Sequence, residues 1–322
     1  MTWGAPRTSQ PMRSPPEAAA IPRASSLPPR AVLVTRPTEL DELIARHGTL
    51  AQVRFHLKSR GQSLDDLTHR HDRQAAALQA VQSAIPLAWR RARVSRESLD
   101  RFLFEPEDLV IAVGQDGLVA NTAKYLHGQP VLGINPLPEF YEGVLVRYPA
   151  GAAPDALATF AANTLSTTPH TMVQATLADG QRLVALNEVF IGHRTHQSAR
   201  YTLNWQSRSE RQSSSGVIVA TGTGATGWAK SIVRNREGAP ALPTPDAPAL
   251  SFFVREAWPS RSTGATLTDG IIENDCPLTL TSEMNEGGTL FGDGLEDDRL
   301  DFSWGQVATL GPADHPLQLA RL

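Results

Sequence analysis

Unbroken apolar runs and amphipathic segments alternate along the N-terminal half of the chain. Continuous apolar runs are typical of strands buried on both faces in a parallel sheet, and strands that alternate with helices form doubly wound α/β domains. We therefore predict a mostly parallel, Rossmann-like sheet in this half. The predicted strands are residues 31–35, 87–94, 109–113 and 131–134. The predicted helices are a segment capped by Thr38 and residues 50–57, 63–85, 98–103 and 155–165.

The C-terminal half changes to short stretches in which apolar and polar residues alternate, which is the period of a half-buried strand. Asp179-Gly180 separates two of these stretches and predicts a hairpin turn, and Asp269-Gly270 and Asp293-Gly294 also predict turns. We therefore predict a β-rich second domain of stacked sheets. Its strands are residues 173–177, 182–186, 201–205, 217–220, 249–255, 271–272, 278–281 and 300–304.

These patterns divide the chain into four segments. We predict a disordered tail at residues 1–29, the α/β domain at 30–165, the β-rich domain at 166–305, and a C-terminal segment at 306–322 that packs back on the first domain. The tail is rich in proline and lacks the apolar core of a signal peptide, so we do not expect secretion.

The composition of the chain limits the partners and the kinds of site that we expect. The formal net charge of −3 gives no indication of a nucleic-acid or membrane partner. Cys276 is the single cysteine, which excludes an internal disulfide framework and a cysteine-rich metal site. No apolar run approaches the roughly 18 residues of a membrane span. His193 and His196 have no other ligands at a suitable spacing, so we predict loop histidines and no metal site. Together these features predict a cytoplasmic protein whose partners are small molecules.

Residues 109–126 join a predicted buried strand to a predicted helix through Gly114-Gln115-Asp116-Gly117. Open α/β sheets bind ligands at the carboxyl ends of their strands, and the amides of a helix start attract phosphate. A carboxylate there would repel phosphate unless it takes a proton or holds Mg²⁺. Asp116 is therefore a candidate catalytic residue, and a plain Asp-Gly loop is the alternative.

Asn187 and Glu188 interrupt the otherwise apolar run at residues 183–191. Burying such a pair is costly unless both side chains are hydrogen-bonded. The pair therefore either binds a ligand with hydroxyls and amines, such as ribose and adenine, or belongs to a local network at a strand end or bulge.

Residues 221–227 form a glycine- and threonine-rich turn between a predicted strand and a helix start. Its amides and hydroxyls suit an anion or a sugar edge. Gly222, Gly224 and Gly227 fit the dinucleotide fingerprint, which also requires an acid that closes the next strand about 20 residues later. The nearest acids lie in glycine- and proline-rich sequence, so we reject a Rossmann dehydrogenase.

Taken together, Gly114-Gln115-Asp116-Gly117, Asn187-Glu188 and the turn from Thr221 to Trp228 resemble the G-G-D-G, N-E and T-P-T-G-S-T-A-Y-like motifs of the NAD kinase family, in the same order. The sequence around Asn187, together with Ser214-Ser215-Gly216, most resembles the mitochondrial-type branch of the family. The resemblance runs from about residue 31 to the C-terminus. It implies transfer of the γ-phosphoryl group of ATP to the 2′-hydroxyl of the adenosine ribose of NAD, which gives NADP. By analogy with the family, we also expect a homodimer.

The resemblance implies a role for each motif. Asp116 would accept the proton of the hydroxyl, and the amides of Gly114 and Gly117 would lie against the ATP phosphates, which would carry most of the Mg²⁺. Such a small set of catalytic groups suits phosphoryl transfer, in which positioning and charge stabilisation supply most of the catalysis. Residues 30–165 would bind the nucleotide donor and residues 166–305 the substrate. The residues that would bind NAD are Asn187, Glu188, Thr223, Gly224, Thr226, Gly227, Trp228 and Ser231.

Two positions depart from the family pattern. Gln115 replaces a glycine, and its side chain could crowd a phosphate or oppose a positive φ angle. Leu118 replaces the usual threonine, which removes one possible phosphate contact, and Asn121 and Thr122, about one turn later, are the candidates to replace that contact. These departures leave two alternatives open: a catalytically impaired NAD- or nucleotide-binding protein on the same fold, or a kinase of another hydroxyl acceptor.

Overall fold

The computed structural model describes residues 27–322. The predicted tail at residues 1–29 lies outside the described residues except for its last three positions. Within residues 27–322, no helix is long and apolar enough to cross a membrane.

The described chain contains one mostly parallel α/β sheet and two antiparallel sheets, which confirms the predicted fold class. The helices are α1 (Glu39–His47), α2 (Leu50–Lys58), α3 (Leu64–Ala84), α4 (Asp116–Ala123), α5 (Ala153–Ala161) and α6 (Trp228–Arg234), with short 3-10 helices at Arg96–Arg101, Ala150–Ala152 and Gly224–Thr226. The strands are β1 (Arg30–Thr35), β2 (Arg90–Ser95), β3 (Asp108–Val113), β4 (Pro130–Ile134), β5 (Ser166–His170), β6 (Val173–Leu177), β7 (Arg182–Ala185), β8 (Glu188–His193), β9 (Ala199–Trp205), β10 (Arg208–Ser214), β11 (Val217–Ala220), β12 (Ala249–Val254), β13 (Asp269–Glu273), β14 (Leu278–Ser282), β15 (Gly288–Gly292), β16 (Arg299–Asp301), β17 (Val307–Pro312) and β18 (Leu317–Arg321).

The first sheet has the strand order β2-β1-β3-β4-β18-β5, and only β5 runs antiparallel to its neighbour. Successive side chains of a strand point to opposite faces, so an unbroken apolar run supplies two cores. Ala31 and Leu33 pack against α3 and α5, whereas Val32 and Val34 belong to the cluster that contains α4. The sheet is thus covered on both sides, as its apolar strands predict.

A buried ion pair fixes the register of β1 against β3 at their amino ends. Arg30 faces Asp108 across the two strands. Its guanidinium donates to both carboxylate oxygens of Asp108, at 2.7 Å and 2.6 Å, and the Asp108 side chain is fully buried. A bidentate pair of this kind combines charge with a fixed geometry.

The other two sheets have the orders β10-β9-β14-β17-β6-β7 and β13-β12-β11-β8-β15-β16. Their facing side chains form one large apolar core, which includes Leu203 and Leu280 from the first of them and Val189 and Phe252 from the second. The predicted hairpin at Asp179-Gly180 is confirmed, because β6 pairs with β7 and Gly180 has a φ of 91°.

Several local predictions need correction. Leu87 is 95% exposed in a turn after α3, and β2 begins only at Arg90. The predicted helix at residues 98–103 is a 3-10 helix over Arg96–Arg101. Asp269-Gly270 is not a turn but the start of β13, where Arg236 lies 3.0 Å from the Asp269 carboxylate and compensates its charge.

Candidate functional site

A crevice opens at the carboxyl ends of the first sheet, between β1 and β3. The chain leaves β1 toward β2 on one side and reaches β3 on the other, and ligands of open α/β sheets bind at such a switch point. A cavity of about 220 Å³ lies there. Its lining includes Gly114 and Gln115 at the end of β3, and two arginines that each lie beside a glutamate of the same cavity: Arg36 with Glu42 at 3.9 Å, and Arg70 with Glu39 at 3.3 Å.

Gln115 fits its position without backbone strain. Its φ of −102° and ψ of 167° are extended, so a glycine is not needed for a positive φ. The expectation of a conflict with φ at this position is therefore wrong. The residue borders the cavity, where the size of its side chain matters.

Leu118 faces away from the cavity. It is buried in the core on the α4 side of the sheet, and its side chain packs against Gly114. Thr122 does not supply a replacement hydroxyl, because its Oγ1 donates to the carbonyl oxygen of Leu118 at 2.7 Å within α4. Asn121 is also buried but lines a separate cavity beside α4.

Asp116 is the first residue of α4, and its carboxylate binds a loop that follows β4. Oδ1 accepts the N–H groups of Leu145 at 2.8 Å and Val146 at 3.0 Å, and Oδ2 accepts the N–H of Val144 at 2.9 Å. Gly133 permits this approach, because a Cβ there would collide with the backbone of Leu145. Asp116 therefore anchors the loop at residues 144–146, a role that sequence reasoning missed.

Asn187 and Glu188 lie at the bend between β7 and β8. This position also agrees with the alternative prediction, in which the pair belongs to a local network at a strand end. The Asp293 carboxylate accepts the backbone N–H groups of both residues and of Leu186. Glu188 is partly buried, and burial followed by the nearby Asp293 charge raises its pKa to about 7. Its carboxyl therefore changes charge near neutral pH.

The glycine- and threonine-rich turn contacts this bend directly. The Thr221 hydroxyl donates to the carbonyl oxygen of Leu186 at 2.6 Å and accepts the N–H groups of Thr223 and Gly224, both at 3.1 Å. A Cβ at Gly224 would collide with the carbonyl oxygen of Asn187, so only glycine fits there. These hydrogen bonds join the second and third motifs into one unit.

The predicted residues of the turn differ in their accessibility. Thr223 is buried, and its Oγ1 shares a 3.0 Å hydrogen bond with Nδ1 of His170, whose pKa is lowered chiefly by burial. Thr226 ends the 3-10 helix, and Gly227 precedes α6. Gly224 is buried against Asn187, as described above.

Trp228 and Ser231 on α6 line another cavity of about 380 Å³ together with Arg255. The indole stacks on Phe190 with ring centroids 6.0 Å apart, and the Arg255 guanidinium lies 5.1 Å from the indole centroid. A cationic group therefore already contacts the aromatic ring of Trp228, which was predicted to bind NAD.

The structure brings the first two motifs onto one apolar cluster, whereas Trp228 at the end of the third motif packs against a separate one. Leu118 of α4, Leu145 and Val146 of the anchored loop, and Leu186 beside Asn187 all belong to the shared cluster. Neither Asn187 nor Glu188 lines the 220 Å³ cavity at the end of β3. The first two motifs thus share a support, whereas the cavity itself is bordered by the first motif alone, through Gly114 and Gln115.

Two residues of this arrangement were not predicted. Asp293 was interpreted only as part of a turn, and its positive φ of 53° in a non-glycine residue is the local sign of an unusual position. No feature of the sequence singled out Lys124, although its side chain is only 4% exposed in the structure. Within residues 27–322, no group of three or more His, Cys, Asp or Glu side chains is placed to hold a metal ion.

Comparisons with known proteins agree with this architecture. No protein-family sequence model matches the chain, and no curated protein sequence matches it. The fold is similar to that of an NAD kinase from Archaeoglobus fulgidus solved in complex with ATP, with a TM-score of 0.54, 17% identity, and coverage of 91% of this chain and 93% of that one. It is also similar to yeast NADH kinase complexed with NADH, with a TM-score of 0.55, 13% identity, and coverage of 92% and 84%. The chain therefore has the fold of NAD kinases.

Proposed function

We propose that this protein is an NAD kinase that transfers the γ-phosphoryl group of ATP to the 2′-hydroxyl of the adenosine ribose of NAD. The observation that carries the proposal is the hydrogen-bonded unit of the Asn187-Glu188 bend and the Thr221–Gly224 turn, packed on the same apolar cluster as α4 and its Asp116. The fold supports it, since one similar structure contains ATP and the other NADH.

The donor side of the proposed site is the cavity at the switch point. Arg36 and Arg70 line it, but they lie 3.9 Å from Glu42 and 3.3 Å from Glu39, so each guanidinium would have to turn from its glutamate to bind a triphosphate. Gly117 is exposed with no atom near the position of a Cβ, so a phosphate can approach it, whereas Gly114 is buried and its N–H already donates to the carbonyl oxygen of Ile134 at 3.0 Å, contrary to the predicted phosphate contact of its amide. The described residues offer no cluster that would hold a metal ion by itself, so Mg²⁺ would arrive on the ATP phosphates and neutralise their charge.

The acceptor side is the second half of the site. Asn187 and Glu188 would hold hydroxyl and amine groups of the nucleoside, a role that suits a carboxyl poised near neutral pH. The residues that would line the ribose and adenine pocket are Thr223, Gly224, Thr226, Gly227, Trp228 and Ser231. For the indole of Trp228 to stack on a base, the Arg255 guanidinium has to move aside or join the stack.

Asp116 would act as the base that takes the proton of the hydroxyl. Each ionised carboxylate oxygen can accept two hydrogen bonds. Oδ2 accepts one amide from the loop, whereas Oδ1 accepts two. Oδ2 therefore keeps one acceptor position for a substrate hydroxyl while the loop stays in place.

The direct test is incubation with ATP, Mg²⁺ and NAD, with NADP formation as the readout. We expect NADP from the wild type, loss of activity in Asp116→Asn, and full activity in Asp275→Asn, which changes an exposed aspartate outside the site. A wild type that forms no more NADP than Asp116→Asn contradicts the proposal. A parallel panel of sugar and lipid hydroxyl acceptors distinguishes a kinase with another acceptor.

One observation favours a second candidate, a nucleotide-binding protein without turnover. Three backbone N–H groups already occupy the Asp116 carboxylate, which makes it a good structural anchor and a more restricted base. This candidate predicts saturable NAD binding in calorimetry with no NADP formed. Any turnover above the Asp116→Asn background excludes it.

A further inference from the structure

Asp293 fixes the Asn187-Glu188 bend from a tight turn directly after β15. Its carboxylate accepts the N–H groups of Leu186 at 3.0 Å, Asn187 at 2.7 Å and Glu188 at 3.4 Å. The Asp293 N–H donates in return to the carbonyl oxygen of Glu188 at 3.0 Å. The residue does this at a φ of 53°, a conformation that costs free energy in a non-glycine residue and persists only where the surroundings hold it.

A buried cation holds the same turn from the other side. The Lys124 ammonium, at the C-terminal end of α4, donates to the carbonyl oxygen of Gly292 at 2.9 Å and lies 3.7 Å from the Asp298 carboxylate. Burial raises the pKa of Asp293, and the hydrogen bond from Leu186 and the Lys124 charge act against that rise. An ammonium is costly to bury unless it is paired, so its place here indicates a specific role.

Helix α4 connects this turn to the first motif. It begins at Asp116 and ends beside Lys124, so one short rigid element joins the loop at residues 144–146 to the turn at Asp293. Contacts then run from Asp116 through α4 and Lys124 to the carbonyl oxygen of Gly292, and the next residue, Asp293, binds Asn187 and Glu188.

We propose that Lys124 and Asp293 are positioning residues that fix the Asn187-Glu188 bend relative to α4. In the NAD kinase reaction proposed above, on which this inference rests, they set the distance between the base on α4 and the nucleoside hydroxyl that the bend holds. Neither residue touches the substrate. Reactions between bound groups are sensitive to such geometry, and a displacement of about 1 Å can reduce the rate about 100-fold.

The test uses the full chain with paired substitutions. Asp293→Ala removes all three acceptor contacts, whereas Asp293→Asn keeps the size of the side chain and one acceptor oxygen. Lys124→Met removes the charge, and Lys124→Arg keeps it. The matched control is Glu210→Gln, because the Glu210 carboxylate binds the N–H groups of Thr266 and Leu267 in the same manner, on a loop that contains no proposed site residue.

Two readouts are measured on every variant. Steady-state kinetics should show a fall in kcat of about 100-fold for Asp293→Ala and about tenfold for Lys124→Met, with an unchanged KM for ATP. Asp293→Asn should lie between Asp293→Ala and wild type, and Lys124→Arg should recover most of the activity. Hydrogen exchange should show lost protection at residues 186–188 in Asp293→Ala, and at 266–267 alone in Glu210→Gln.

The outcomes separate this inference from the proposed function. Lost protection at residues 186–188 with unchanged NADP formation overturns the inference and leaves the function intact. A wild type that forms no NADP overturns the proposed function. The inference is then tested separately by calorimetry, which compares the affinity of each variant for NAD with that of the wild type. Variants that bind NAD as the wild type does overturn it.

Discussion

Glu188 offers the sharpest physical test, because a partly buried carboxylate at the proposed site should lower the free energy of unfolding when it is ionised. Its pKa rises from 4.5 to about 7, first because the group is buried and second because Asp293 repels its charge. A rise of this size corresponds to about 3 kcal/mol between the ionised and the neutral form. Since the side chain retains some contact with water, we expect about 2 kcal/mol in practice.

The sign of the pH dependence follows from proton linkage. The folded protein holds the Glu188 proton more tightly than the unfolded chain, so the contribution is fully favourable below pH 4.5 and is lost as the pH rises through 7. Glutamine resembles the protonated carboxyl at every pH. We therefore expect Glu188→Gln to be more stable than the wild type by less than about 1 kcal/mol at pH 5 and by about 2 kcal/mol at pH 8.

Urea unfolding at pH 5 and pH 8 measures this difference directly. Glu237→Gln is the matched control, because Glu237 is exposed, and it should follow the wild type at both pH values. Parallel stability curves for wild type and Glu188→Gln would refute the reasoning. If Glu188 binds NAD as proposed, the same variant gains stability at pH 8 while its affinity for NAD falls.

Three further predictions follow from particular contacts. Asp116→Asn should lower the free energy of unfolding by about 1–3 kcal/mol, because an amide cannot accept all three loop N–H groups; stability equal to that of the wild type in urea would show that the carboxylate does not hold the loop. Gln115→Gly should lower the KM for ATP and leave the KM for NAD unchanged, since the side chain borders the donor cavity alone; steady-state kinetics in which both values move together would contradict this. Arg30→Met should cost about 3–5 kcal/mol in calorimetry, because it leaves the Asp108 carboxylate buried without its partner; the control Arg101→Met, at an ion pair whose arginine is 86% exposed, should cost less than about 1 kcal/mol.

Local patterns predicted the elements that carry the motifs. The apolar run at residues 109–113 and the glycines after it predict a strand, a turn and a helix, and the structure has β3 followed by α4. The same reasoning predicts β11 and the helix start at Trp228. These elements depend on periodicity and turn chemistry, which act over a few residues.

The contacts between motifs could not be predicted in the same way. Asp116 binds backbone N–H groups of Val144, Leu145 and Val146, and every residue except proline carries such a group, so no side chain marks the partner. Asp293 is likewise distant in sequence from Asn187, and its role depends on how β8 and β15 pair. Tertiary pairing, rather than local propensity, decides both interactions.

The position of β18 has a consequence for how the protein is made. In the first sheet this strand lies between β4 and β5, and β5 has no other neighbour there. The strands of both antiparallel sheets are therefore synthesised before the strand that completes the first sheet. Until then Pro130 and Val131 at the start of β4 stay unpaired on that side, because Tyr148 bridges only the end of the strand, and an exposed edge of this kind invites association with other chains. A fragment that ends after β5 should accordingly aggregate, whereas adding a peptide of the β18 sequence should rescue its solubility.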